Sequence, residues 1–290
     1  MRAPDRRIVL GLHRSRHQRH QLTNALDLGI TAIDTAFSYR GFASHTILAD
    51  IGRGLLDRFT ISTKVGFFPR PGGAEHSLDP ARLIGALEQT NHELGRAPDL
   101  VFLHNPECSL QDTATEVARD TLAQACAALE DAMHKGLCGA WGISTWDPYS
   151  LLDAIDATAT KPAVLMVRCG LLVGVHTLRA AESLAREWSH HNTQVWGMSP
   201  FSGNAHDPVW SSFDARVFLR DPPGPVPQMQ AAFRAAYDLP TVSAVAVGTD
   251  DPAHLRELVD ALTFEVDEQA VLQYRDLLLS GARQDAHKRS

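Results

Sequence analysis

Short apolar runs recur along the chain, and each is followed by a polar or turn-forming residue. Such brief runs of β-branched or bulky residues predict buried strands. We expect the strands to end near Gly11, Asp34, Lys64, His104, Ser144, Arg168, Ser199 and Gly248. From Asp34 onward, successive ends lie 30, 40, 40, 24, 31 and 49 residues apart, a spacing typical of repeated strand–helix units.

Helical patterns lie between these runs, at 83–94, 121–133 and 251–262. Eight strands with intervening helices fit a closed (β/α)8 TIM barrel better than an open sheet. A Rossmann domain is disfavoured because no GxGxxG follows the first strand. We therefore expect one α/β domain over 1–290, with a core at about 8–262 and a C-terminal extension at 263–290. The proline-rich segment 202–227 shows little periodicity and is predicted to be a long loop.

Composition narrows the class of protein. Apolar residues make up 44% of the chain and charged residues 21%, with a formal net charge of -7. This balance argues against a nucleic-acid binder, and no run approaches the roughly 20 apolar residues of a membrane span. The four cysteines lack CxxC spacing, which favours reduced thiols in a cytoplasmic protein over disulfides or zinc.

Four polar residues stand at or just beyond predicted strand ends: Asp34, Tyr39, Lys64 and His104. In a parallel barrel the strand ends meet on one face, so these side chains are expected to share a cleft suited to proton transfer. Each alone has a simpler explanation, since Asp34 suits a turn and Tyr39 or His104 suits core packing. Lys64 is harder to explain that way, because a buried lysine is costly without a partner.

Five segments together resemble the aldo-keto reductases from about residue 8 to residue 262: GITAIDTAFSY, ISTKVG, DLVFLHNPE, GLCGAWGIST and AVAVGTDDPAHLREL. The resemblance implies a (β/α)8 barrel with a nicotinamide cofactor across its C-terminal face. It also implies carbonyl reduction or alcohol oxidation on a small molecule. Tyr39 would be the proton donor, Lys64 and Asp34 the pair that adjusts it, and His104 the residue that orients the substrate oxygen.

The chemistry supports these roles. Carbonyl reduction needs a hydride on carbon and a proton on oxygen, and a free tyrosine has a pKa of about 10. We expect the Lys64 ammonium to lower the pKa of Tyr39 and Asp34 to hold that ammonium in place. An imidazole and a phenol directed at one oxygen would stabilise the developing alkoxide, and no metal is required.

Ten further residues are predicted to bind the cofactor because they match, or replace, residues with that role in the family. They are Ser144, Thr145, Met166, Cys169, Ser199, Phe201, Gly248, Thr249, Asp250 and Arg256. Met166 and Cys169 stand where the resemblance implies a glutamine and a tyrosine stacked on the nicotinamide. Asp250 stands in place of a cation near the adenosine phosphate and favours NADH. The family favours NADPH, so we expect NADPH, with NADH as the alternative.

A basic segment, 11–20, follows the first strand and is expected on the catalytic face. It is either an exposed helix start or an anion site for cofactor or acidic substrate. Its histidines lack the partners that a metal site needs. Three functions remain: a reductase, a cofactor-binding regulatory or scaffold protein, and a lyase or isomerase that uses Tyr39 and His104. The sequence leaves the substrate and the oligomeric state open.

Overall fold

The computed structural model describes residues 6–155, 160–222 and 224–289. Within them, eight parallel strands close into a barrel, which confirms the predicted (β/α)8 fold. A two-stranded antiparallel hairpin follows the third barrel strand and was not predicted. The strands, numbered along the chain, are β1 (Arg7–Gly11), β2 (Ala32–Asp34), β3 (Thr60–Val65), β4 (Phe67–Arg70), β5 (Gly73–His76), β6 (Leu100–His104), β7 (Trp141–Thr145), β8 (Val164–Arg168), β9 (Val195–Met198) and β10 (Ala244–Val247).

Helices lie between the barrel strands along the chain and after the last strand. In chain order they are α1 (Arg19–Asp27), α2 (Tyr39–Phe42), α3 (Ser44–Ile51), α4 (Pro80–Leu94), α5 (Glu107–Leu110), α6 (Thr115–His134), α7 (Tyr149–Leu152), α8 (Val175–Glu187), α9 (Gln228–Ala235), α10 (Pro252–Ala261) and α11 (Glu268–Arg289). Short 3₁₀ turns lie at Leu56–Arg58, Asn192–Gln194, Pro208–Ser211 and Ala215–Phe218. None of the described helices is both long and apolar enough to cross a membrane.

Capping residues set the helix starts. The Asp251 carboxylate accepts a hydrogen bond from the Ala253 backbone N–H (2.8 Å), and Pro252 occupies the first turn of α10, within the helix predicted at 251–262. Helix α6 starts six residues before the predicted position 121, at Thr115. The extra turns are almost entirely exposed, with Ala118 their buried residue, so they carry no apolar periodicity to detect.

The parallel strands bring the predicted strand ends to the same end of the barrel, in register or offset by two residues. Gly11 lies opposite Asp34, and Asp34 lies opposite Ser62 on β3. Further around the barrel, His104 on β6 pairs with Ser144 on the neighbouring strand β7. Side chains from non-consecutive parts of the sequence therefore converge on the C-terminal face of the barrel.

The segment 202–227 is more structured than predicted. Its 3₁₀ turns fold over an apolar cluster that includes Trp210 and Phe218, both nearly fully buried. Trp210 packs edge-on against Phe201 and donates from Nε1 to the Asn204 carbonyl oxygen at 3.1 Å. Trp210 thus lies behind Phe201, where its large ring completes this cluster.

Candidate active site

A buried ion pair lies at the centre of the C-terminal face. Lys64 on β3 and Asp34 on β2 have side chains only 2% and 6% exposed, and the Lys64 ammonium donates to Asp34 Oδ2. The ammonium also donates to the Thr35 carbonyl oxygen at 2.9 Å, and the Ser62 hydroxyl donates to Asp34 Oδ1 at 2.9 Å. Burial disfavours the Lys64 ammonium, but Asp34 and Tyr39 more than offset this and raise its pKa. Lys64 therefore stays charged.

Tyr39 lies next to this pair, at the start of α2. Its hydroxyl oxygen is 3.3 Å from Lys64 Nζ, within hydrogen-bond distance. Burial raises the pKa of Tyr39 above its ordinary value, Asp34 adds to the rise, and Lys64 opposes it. Lys64 therefore acts in the expected direction and lowers the pKa of Tyr39, but the loss of hydration outweighs the ammonium and the net shift is upward. The phenol is protonated at neutral pH, the state in which it can donate a proton.

His104 ends β6 and faces the same cavity. Its ring centroid is 6.2 Å from that of Tyr39 and 4.9 Å from that of Phe67. Burial holds the pKa of His104 well below its ordinary value, and Lys64 and the neighbouring His76 and His13 lower it further. The backbone is fixed by His76, whose Nε2 lies 2.8 Å from the His104 carbonyl oxygen. A neutral imidazole can donate one hydrogen bond without adding charge.

All four predicted catalytic residues line one cavity of about 690 Å³. This volume lies in the range of small-molecule and cofactor pockets, about 300–1,000 Å³. Four of the predicted cofactor-binding residues also line it: Met166, Ser199, Phe201 and Gly248. The cavity is therefore large enough for part of a dinucleotide beside a small substrate.

The other predicted cofactor-binding residues lie outside the lining. Ser144 and Thr145 are completely buried at the end of β7. Thr249 and Asp250 belong to the loop after β10, and Arg256 is exposed on α10. The Asp250 carboxylate accepts hydrogen bonds from the backbone N–H of Arg16 (3.1 Å) and from the Gln21 side chain.

Cys169 requires a correction, because it faces away from the cavity. It is completely buried, and its thiol lies 3.6 Å from the Met198 carbonyl oxygen, against Gly197. Met166 and Cys169 are three residues apart, and an odd separation in extended chain directs side chains to opposite faces. The odd spacing therefore already indicated, from the sequence, that Met166 and Cys169 do not both face the cavity.

Several cavity residues escaped the sequence prediction of the site. Met198, at the end of β9, lines the cavity. It is two residues from Trp196, so the two side chains point to the same, inner face of the barrel. The ring of His13 packs edge-on against Tyr39, with centroids 4.8 Å apart. Arg40 follows Tyr39 and also lines the cavity. Strand parity could have identified Met198, whereas the position of Arg40 depends on an irregular backbone.

The basic segment 11–20 lies on the catalytic face, as predicted. His13 and Arg14 line the cavity, and Arg14 Nη1 donates to the Gly203 carbonyl oxygen at 2.6 Å. Arg16 instead faces Asp250, with Nε 3.4 Å from Oδ2. Across the residues that the structure describes, no three His, Cys, Asp or Glu side chains cluster closely enough to hold a metal ion.

Buried polar groups at the strand ends suit a carboxamide. Asn105 lines the cavity, and its side-chain Oδ1 is buried without a hydrogen-bond partner. The Ser144 hydroxyl contacts the Met198 sulfur at 3.9 Å, a weak partner. A nicotinamide carboxamide has an NH₂ donor and a carbonyl acceptor. The residues present therefore fit a nicotinamide at this end of the cavity.

Comparison with known proteins supplies independent information. A sequence profile described as the Aldo/keto reductase family matches residues 13–207. The chain is 30% identical over 124 residues to aldo-keto reductase family 1 member A1 of Xenopus tropicalis, covering 43% of this chain and 34% of that protein. It is 30% identical over 95 residues to the Bos taurus protein of the same name, covering 33% and 27%. The matched segments thus span about a third of these curated relatives.

Solved structures share the fold. The holo form of aldo-keto reductase AKR11C1 from Bacillus halodurans superposes with a TM-score of 0.73 at 17% identity, covering 93% of this chain and 91% of that one. An aldo/keto reductase from Klebsiella pneumoniae, solved with NADP and acetate, gives 0.69 at 18% identity, covering 93% and 90%. At these identities the structural likeness shows the barrel fold alone.

Proposed function

The chain belongs to the aldo/keto reductase family, and from this premise we propose that it is an NADP-dependent oxidoreductase that reduces a small aldehyde or ketone, or oxidises the corresponding alcohol. One observation carries the proposal. A protonated Tyr39 lies 3.3 Å from the buried Lys64 ammonium, which Asp34 holds, at the wall of a ligand-sized cavity. A proton donor and a fixed positive charge at one point are what carbonyl reduction requires.

Each of the four predicted catalytic residues has a different role in proton transfer to the substrate oxygen. Tyr39 donates its proton to the substrate oxygen, and the phenolate that forms is stabilised by Lys64, whose charge is held by Asp34. His104, neutral because it is buried, donates a second hydrogen bond to the same oxygen and so stabilises the alkoxide. The chemistry that NADPH supplies when bound is hydride transfer to the carbonyl carbon. Hydride and proton together convert the carbonyl to an alcohol.

The cofactor would lie along the strand ends opposite Tyr39. Asn105 would hold the carboxamide from the cavity wall, with the buried Ser144 hydroxyl behind it and Met166 and Met198 beneath the nicotinamide ring. Of the remaining predicted residues, Ser199, Phe201 and Gly248 line the cavity and would contact the cofactor phosphates, and Thr249, Asp250 and Arg256 would lie at the adenosine end. Thr145 is assigned a supporting place beside Ser144. Cys169 is completely buried and would not contact the cofactor.

NADPH is the proposed cofactor, with NADH as the alternative. NADP or NADPH is present in the Klebsiella pneumoniae neighbours. In this chain Asp250 is engaged by Arg16 and Gln21, so its charge is partly compensated and opposes a 2′-phosphate less than a free carboxylate would.

The test is a turnover assay on the purified protein. NADPH or NADH is supplied with a panel of aldehydes and ketones, and loss of the reduced-nicotinamide absorbance is followed. We expect aldehyde-dependent oxidation, faster at equal concentration with NADPH. Cofactor binding without turnover on any carbonyl would instead favour the regulatory or scaffold alternative. Absence of cofactor binding would refute the proposal.

A further inference from the structure

The cavity carries more positive than negative charge, although the chain as a whole has a formal net charge of -7. Asp34 is the acidic residue among those that line it, and Lys64 neutralises it. Arg14 and Arg40 also line the cavity, and neither forms an ion pair with a described residue. Two uncompensated cations on an acidic protein focus a positive potential inside the cleft.

The two arginines lie near different parts of the cavity wall. Arg14 is directed toward the loop after β9, where its Nη1 donates to the Gly203 carbonyl oxygen. That loop holds Ser199 and Phe201, which are assigned to the cofactor. Arg40 directly follows Tyr39, and its guanidinium makes no hydrogen bond with any described residue. Arg40 is therefore a free donor next to the proton-transfer group.

An unusual backbone positions Arg40. Three consecutive residues, Arg40, Gly41 and Phe42, have φ of 56°, 62° and 70°. A side chain in this left-handed region is strained, and strained segments concentrate where a site requires a particular direction. The turn keeps Tyr39 beside Lys64 and places Arg40 on the cavity wall. The guanidinium has the planar geometry that binds a carboxylate or phosphate through two hydrogen bonds.

We propose that Arg40 binds an anionic group of the substrate, so that the preferred substrates are aldehydes or ketones bearing a carboxylate or phosphate a few bonds from the carbonyl. This inference rests on the proposed function. It explains why a left-handed turn directs Arg40 to the cavity wall, and it gives the unpaired positive charge beside Tyr39 a ligand. Arg14, which is directed toward the loop after β9, remains for the cofactor phosphates.

The test compares two aldehydes that differ in one charge, 4-carboxybenzaldehyde and methyl 4-formylbenzoate. We expect the wild type to show the higher kcat/KM with the acid. Arg40→Met should lower the acid-to-ester ratio of kcat/KM about tenfold or more, because a charge-assisted hydrogen bond is lost. Arg40→Lys should restore part of the ratio. The matched control is Arg58→Met, which removes an exposed arginine from the opposite, N-terminal end of β3 and should leave the ratio unchanged.

Two measurements separate the alternatives. If Arg40→Met raises the KM for NADPH while the acid-to-ester ratio stays constant, the anion is a cofactor phosphate and the inference is wrong. Binding of terephthalate, an unreactive dicarboxylate, is followed by tryptophan fluorescence, since Trp146 lines the cavity. Tight binding that Arg40→Met weakens about tenfold supports the anion site even if no aldehyde is turned over, an outcome that would refute only the proposed reaction. Equal binding by both proteins overturns the anion site.

Discussion

The two sides of the cavity differ in how their polar groups are satisfied. On one side, Asp34, Lys64 and Tyr39 form a continuous chain of hydrogen bonds before any ligand arrives. On the other side, the ends of β8 and β9 present Met166 and Met198, where a ligand finds an apolar, adaptable surface. The resemblance of the sequence to the family covers the residues of the first side, whereas on the second side Met166 stands where the resemblance implies a glutamine.

This difference indicates where the chemistry tolerates change. Proton transfer requires that donor and acceptor be placed to within a few tenths of an ångström, and it depends on a buried charge. A substitution of one of its residues therefore disturbs the others. Holding a nicotinamide ring requires contact area and a few hydrogen bonds, which different side chains can supply. Changes on the first side should therefore be more damaging than changes on the second.

The largest effect is expected at the phenol. Tyr39→Phe keeps the ring and removes the proton donor, so we expect kcat for carbonyl reduction to fall by about 10²–10⁴-fold. Dissociation constants for NADPH, measured by fluorescence titration, should change less than twofold. Tyr149→Phe is the matched control, because Tyr149 is 65% exposed and lies outside the cavity. Near wild-type turnover in the Tyr39 variant would remove Tyr39 from the mechanism.

The next effect concerns stability. Lys64→Met leaves the Asp34 carboxylate buried without its cation, which we expect to lower the free energy of unfolding by about 3–5 kcal/mol. Urea unfolding followed by circular dichroism measures it. The control is the double variant Lys64→Met with Asp34→Asn, in which no buried charge remains and much of the loss should be recovered. If single and double variants were equally unstable, the loss would come from packing and not from the unpaired charge.

The barrel and the grouping of Asp34, Tyr39, Lys64 and His104 around one cavity could be predicted because the signals for both are local in sequence. Each strand is a short apolar run; Asp34 and His104 end two of them, and Lys64 is the penultimate residue of a third. The position of Arg40 could not be predicted, since it depends on three consecutive left-handed residues. Nor does a single-residue pattern reveal that Asp250 pairs with Arg16, 234 positions away.

The cofactor side also shows how strand parity limits a family comparison. A position matched by alignment need not face the cavity, and Cys169 does not. Cys169→Tyr would force a phenol ring into a fully buried space beside Gly197, so we expect it to destabilise the fold by about 1–3 kcal/mol. The same substitution at Met198, which lines the cavity, should leave the melting temperature nearly unchanged.

The two tyrosine variants also differ in their effect on binding. Met198→Tyr adds a ring at the nicotinamide side and should tighten NADPH binding by about 0.5–1.5 kcal/mol. Thermal unfolding and fluorescence titration of both variants measure the contrast. Tighter binding by Cys169→Tyr, without loss of stability, would show that its side chain can reach the cavity after all.

The smallest expected effect concerns the choice between NADPH and NADH. Asp250 binds Arg16 through an ion pair in which Arg16 is 76% exposed, so solvent screens it and the pair is worth less than about 1 kcal/mol. Asp250→Ser removes a carboxylate near the proposed adenosine end and releases Arg16 for a 2′-phosphate. We expect the NADPH-to-NADH ratio of kcat/KM to rise about threefold to fivefold, with the chemical step unchanged. In the double variant with Arg16→Ser the ratio should rise less, because no cation is released. Arg256→Ser tests the other cation, which is exposed on α10. A ratio that moves with Arg256 but not with Asp250 would transfer cofactor choice from this loop to the helix.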